Sequence, residues 1–120
     1  MARNFQVLSI GYDRALMATR SMLLRNSGYT VEEAFSRHQA MILARSDLID
    51  VLLICHTVPE MEKLALVSAV RRQRLLMPIL CISDSDYLAP STDGYKVVAN
   101  APAELLAGVD CVLRETPEIG

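Results

Sequence analysis

The residues able to carry chemistry are a Cys55–His56 pair, Ser83 with Asp84 and Asp86, His38, and the arginines at 71, 72 and 74 with Arg45 nearby. A reactive thiol needs a cation or a helix N-terminus to lower its pKa. His56 is adjacent to Cys55, but neighbours on a strand point to opposite faces. Cysteine is also among the most often buried residues. Cys55 therefore reads as an inert buried thiol, and a redox sensor or thiol enzyme at Cys55 stands as the alternative. Cys81 and Cys111 lie in apolar segments and read as core. No CxxC pair occurs and no histidine sits at ligand spacing, so neither a metal nor a cofactor is expected. His38 and His56 read as surface or loop imidazoles. Two carboxylates on a loop make a poor cation site, so Asp84, Ser85 and Asp86 read as solvated. Ser83 reads as satisfying a loop hydrogen bond. The arginines read as the solvated end of a helix, where cations favour the negative pole, rather than as a patch for an anionic partner.

Composition bounds the function classes. The chain has 120 residues, 52 % apolar and 22 % charged, with 12 basic against 14 acidic side chains and a net charge of −2. That is a globular composition sized for one domain over residues 1–120. The charge balance argues against a phosphate-backbone binder, so no nucleic acid is expected as partner, although a local basic patch is compatible with it. No apolar run approaches the roughly 20 residues that cross a bilayer. The first ten residues lack the apolar core of a signal peptide. The three cysteines are odd in number and scattered, as in a reducing compartment. A cytoplasmic protein with no membrane contact is the expectation.

The elements that must position these residues alternate. Phe5–Ile10 is strand-like, and Asp13 can cap a following helix with Ala15, Leu16, Met22 and Leu23 inward and Gly28 just past its end. Tyr29–Phe35 is strand-like, and Ser36 caps a second helix to about Arg45, with Ala40, Ile42 and Leu43 inward. Ile49–Cys55 is apolar without alternation, the pattern of a strand covered on both faces. Pro59 and Glu60 open a third helix with Leu64, Val67, Ala69 and Val70 on its apolar side. Pro78 leads into strand Ile79–Ile82, Tyr95–Ala99 follows as another strand, and Pro102 opens a last helix with Leu105, Leu106, Val109 and Leu113. Met17, Leu24 and Leu75 fall off these faces and are candidates for a contact surface. Strands alternating with helices give a parallel sheet covered on both sides, with its functional crevice beyond the carboxyl ends of the strands. Gly11, Tyr12, Asp13, Cys55, His56, Ser83, Asp84 and Val98 fall there.

Four segments in this order and spacing, LLRNSGYTVEEAFS (23–36), DVLLICHTVP (50–59), PILCIS (78–83) and DGYKVVANAPAELL (93–106), resemble a response-regulator receiver domain. The resemblance covers nearly the whole chain. It implies a flavodoxin-like (CheY-like) α/β fold, a doubly wound five-stranded parallel sheet in order 2-1-3-4-5. It also implies phosphoryl transfer to an aspartate ending the third strand. Two acids after the first strand help that aspartate hold Mg²⁺, a hydroxyl ends the fourth strand, and a lysine ends the fifth. A hard cation needs those carboxylate oxygens and partly neutralises the phosphoryl group.

Most of these positions are changed. Gly11 and Tyr12 fall where the acidic pair belongs, with Asp13 one place late. Cys55 falls at the phosphoacceptor, Val98 at the lysine and Ala99 at the proline after it. Ser83 keeps the hydroxyl, and Tyr95 keeps the aromatic site that reports the switch state. Only residues 84–93 separate Ser83 from Gly94, so the fourth helix is expected to be short or missing. The resemblance thus implies a degenerate pseudo-receiver of bacterial two-component signalling. It would be unable to take phosphate on aspartate, would not be an enzyme, and would serve as an interaction module for another signalling protein or a second copy.

Overall fold

The structure is a computed structural model that describes residues 5–74, 76–83 and 95–115. Five strands and four helices are present among these residues: β1 (Gln6–Ile10), α1 (Arg14–Asn26), β2 (Thr30–Ala34), α2 (Arg37–Ala44), β3 (Val51–Ile54), α3 (Glu60–Gln73), β4 (Ile79–Ser83), β5 (Lys96–Ala99) and α4 (Pro102–Glu115). The strands form one sheet in the order β2-β1-β3-β4-β5, every pair parallel. This is the doubly wound arrangement expected above. The segment where a short or missing helix was expected, 84–94, lies outside the described residues, as do Leu75 and the acids Asp84 and Asp86.

Alternation along the central strands divides the core. Leu8, Ile10, Leu52 and Ile54 join the layer under α2 and α3, whereas Val7, Val51, Leu53 and Cys55 join the layer under α1 and α4. All four residues of β3 are fully buried, which explains its unbroken apolar run. Helix starts follow local chemistry. Asp13 Oδ1 accepts from Leu16 N at 3.1 Å and Ser36 Oγ accepts from Gln39 N at 3.0 Å, each satisfying an amide that the helix leaves unpaired. Past the other end of α1, Gly28 takes φ +98°, a left-handed turn in which glycine has no Cβ to strain.

Three expectations are corrected. On α1 the buried residues are Met17, Arg20, Ser21 and Leu24, and Met22 is exposed. Met17 and Leu24 are therefore core and offer no contact surface. Their helix is rotated from the hydrophobic reading because its inward face carries two polar residues: Ser21 Oγ donates to Glu33 Oε2 at 2.6 Å, and Arg20 reaches the end of the sheet. Second, Arg71 and Arg74 are not solvated. Arg74 Nη1 donates to the Ser46 and Ile49 carbonyls at 3.0 and 2.7 Å, and Arg71 Nη1 to the Met77 carbonyl. They tie the α2–β3 and α3–β4 connections, whose carbonyls have no strand partner there. Third, Cys111 is exposed rather than core. Leu105, Val109 and Val112 set the inward phase of α4, which turns position 111 outward. The inward sides of α2 and α3 also narrow to Ala40 and Ala44, and to Leu66, Val67 and Val70, leaving Ile42 and Leu64 exposed. Among the described residues, no helix is long and apolar enough to cross a membrane.

Candidate functional site

The carboxyl ends of β1, β3, β4 and β5 bring together Gly11, Tyr12, Cys55, His56, Ser83 and Val98. Register fixes the alignment: Ile10 lies beside both Ala34 and Ile54, and Ser83 beside Ala99. Gly11 N donates to the Ala34 carbonyl and Cys55 N to that of Ile10, so the strand ends are held without slippage. Asp13, one place late, is occupied as the α1 cap and does not turn into the crevice.

A side chain at position 11 would be crowded. A Cβ there would come within 2.8 Å of Met17 Sδ, 3.0 Å of Cys55 Cβ and 3.2 Å of Thr57 Oγ1. Tyr12 points outward. Its amide donates to Thr57 Oγ1 at 2.9 Å and its hydroxyl to Glu62 Oε1 at 3.1 Å. Burial and that carboxylate push the phenol above its ordinary pKa. Neither position can offer a metal an oxygen from an acid. Among the described residues, no group of three His, Cys, Asp or Glu side chains is placed to hold a metal ion.

Cys55 is 1 % exposed and lies against other soft or polar groups, with Met17 Sδ at 3.5 Å and Ser9 Oγ at 3.8 Å. Burial pushes its thiol up, and the nearby Arg20 charge and Ser9 hydroxyl do not offset that. Little thiolate forms at neutral pH, the reverse of what a nucleophile needs. Cys81 is buried one strand away, its thiol pushed up to about 12 by burial. His38 is exposed on α2, whereas His56 is half-buried on the β3–α3 turn.

Ser83 and His56 line a crevice of about 460 Å³, with Lys63 and Glu60 from α3 on its rim. Lys63 Nζ pairs with Glu60 at 2.6 Å and stands 5.7 Å from the centre of the Tyr95 ring. Tyr95 is half-buried against the α3-side core. Across the sheet, Val98 fills the space that Gly108 leaves on α4, where a Cβ would come within 2.6 Å of Val98 Cγ1. The Val98 side chain is thus taken up by packing. Gly108→Ala is expected to destabilise by about 1 kcal/mol, overpacking outweighing the gain in helix propensity. Val98→Ala in that background is expected to recover most of the loss in urea unfolding; equal losses in both backgrounds would show no such contact.

Sequence reasoning missed Arg20. It is 5 % exposed and reaches from α1 to His56 Nδ1 at 3.1 Å and Asn100 Oδ1 at 2.5 Å. It thereby joins the β3–α3 turn to the β5–α4 turn. A single arginine in an apolar helix pattern carries no signal of this role.

No protein-family model matches the chain. Among curated proteins it is 23 % identical, over 94 % of its length, to the alkaline phosphatase synthesis transcriptional regulatory protein PhoP of Bacillus subtilis. The chain spans 50 % of that relative's length. Among solved structures, the chemotaxis response regulator CheY4 of Vibrio cholerae is 25 % identical with TM-score 0.75, covering 92 % of this chain and 99 % of that one. A response regulator receiver protein from Sinorhizobium medicae is 18 % identical with TM-score 0.80, covering 96 % and 98 %. A CheY-like receiver domain protein from Methanospirillum hungatei is 21 % identical with TM-score 0.78, covering 95 % and 97 %. The chain has the CheY-like fold, the five-stranded doubly wound architecture of these response-regulator receiver domains.

Proposed function

We propose that this chain is a pseudo-receiver: one receiver-like domain over residues 1–120 that takes no phosphate on aspartate. It works in bacterial signal transduction as an interaction module in the cytoplasm. Its partner is another signalling protein or a second copy, not nucleic acid or membrane, and it is not an enzyme. The observation that carries this reading is the wall at Gly11. Met17, Cys55 and Thr57 occupy the space that a metal-binding acid would need. The acceptor position holds a buried thiol and the lysine position holds Val98 packed on α4. Nucleophile, metal ligands and counter-charge act as a unit in phosphoryl transfer, so losing all of them removes the reaction rather than slowing it. Burial of Cys55 and its raised pKa favour this reading over thiol chemistry at the crevice.

The test is incubation with Mg²⁺ and acetyl phosphate, read by intact mass. The mass is expected to stay unchanged over a time that fully modifies a phosphorylatable receiver. A stable phosphoryl adduct on a carboxylate would overturn the proposal.

A further inference from the structure

Among the described residues, no carboxylate is placed to balance the charge of Arg20. Its Nη2 donates to His56 Nδ1 and to Asn100 Oδ1, neither of them a carboxylate. Its Nη1 is the one buried side-chain nitrogen or oxygen without a hydrogen-bond partner among the described residues. An arginine stays charged at any pH a protein meets. An interior charge without an anion is strongly unfavourable, and neutral acceptors offset only part of that. Met17 and Leu24, its neighbours on the inward face of α1, show that an apolar residue suits this layer.

We propose that Arg20 is the receptor for a small oxyanion of phosphate size. The ion binds reversibly between the β3–α3 and β5–α4 turns, in place of the Asn100 carboxamide oxygen. The guanidinium offers two parallel N–H groups, one from Nη1 and one from Nη2, and such a fork matches two oxygens of an oxyanion. Asn100 is exposed, so the side of Arg20 that it covers is the side open to solvent. Only 5 % of Arg20 is exposed, which favours a free ion over one carried on a larger molecule. His56 stays in place and keeps the guanidinium plane oriented, because its Nδ1 accepts from Nη2 on the other side. Asn100 is followed directly by Ala101, whose carbonyl accepts from Leu105 N in the first turn of α4. Exchanging Asn100 for the ion therefore alters the β5–α4 turn, so occupancy is felt at the start of α4.

This inference does not depend on the reading above. A covalent adduct would sink that reading and leave this one intact, whereas reversible binding is removed by dialysis.

The test titrates the whole chain with inorganic phosphate against chloride at matched ionic strength, reading Tm and ¹H–¹⁵N shifts. The native protein is expected to show a saturable rise in Tm, with shift changes concentrated around residues 20, 56 and 100. Arg20→Met is expected to weaken binding at least tenfold. Asn100→Ala removes an exposed internal competitor and is expected to tighten binding severalfold. Phosphate stabilising Arg20→Met as much as the native chain, Asn100→Ala binding more weakly, or no saturable effect in the native chain would each overturn the proposal. If Arg20→Met does not fold, the Asn100→Ala titration and the shift map decide it.

Discussion

Gly11→Asp, which places an acid at the end of β1, is expected to cost about 4 kcal/mol or more of stability. Forcing a side chain against Met17, Cys55 and Thr57 costs roughly 1–3 kcal/mol through displaced packing. Desolvating a carboxylate in that wall adds on the order of several kcal/mol, which the Arg20 charge beside Cys55 offsets in part. Domains of this size have only about 5–15 kcal/mol in total, so the variant sits close to unfolding. Gly11→Ala isolates the steric part and is expected to lose about 2 kcal/mol. Both are read from the urea midpoint at unchanged slope, which reports stability rather than a changed denatured state. If Gly11→Asp stays within about 1 kcal/mol of the native chain, position 11 has room for an acid and the main support for a non-phosphorylated receiver is gone.

That wall also shows which features a sequence displays and which it hides. The glycine at position 11 and its place after β1 are legible, because the Gly28–Tyr29 turn counts back to it. The crowding around it is not, since Cys55 and Thr57 approach only once β1 and β3 are paired. Element order is legible for local reasons. Val51–Ile54 is apolar throughout, Asp13 and Ser36 cap the helices that follow them, and Gly28 supplies a left-handed turn. Each of those signals is carried within a few residues of chain.

Helix faces fail where burial is polar. Hydrophobic periodicity steers Arg20 and Ser21 outward, and with them it turns Met17 and Leu24 out of the core. What keeps Arg20 inside are partners 36 and 80 residues away. Arg71 and Arg74 are misread for the same reason: their acceptors are carbonyls of loops whose position depends on the whole fold. At the site, the residue types at counted positions are visible in the chain. What surrounds them is visible only as contacts, such as those of Arg20 and of the backbone at Gly11.

Stability should fall by up to about 4 kcal/mol as the pH rises from about 9 to about 12, and Cys81 should account for it. Its thiol has an ordinary value of 9.0 and is pushed up to about 12 by burial in β4. Between those values the unfolded chain has released this proton and the folded chain still holds it. The folded state is then the one that binds more protons, so raising the pH favours unfolding. The contribution is fully present below about 9 and is lost as the pH climbs through the folded value. Burial pushes Cys55 the same way, so the two thiols add in sign. Cys81→Ala separates them. It is expected to cost roughly 1 kcal/mol at neutral pH through lost packing. The deficit should shrink as the pH rises and reverse above about 10, because the variant has no such proton to lose. Urea unfolding under reducing conditions at a series of alkaline pH values reads both curves. Parallel curves would show that Cys81 titrates alike in the folded and unfolded chain, and would remove burial as the source of its shift.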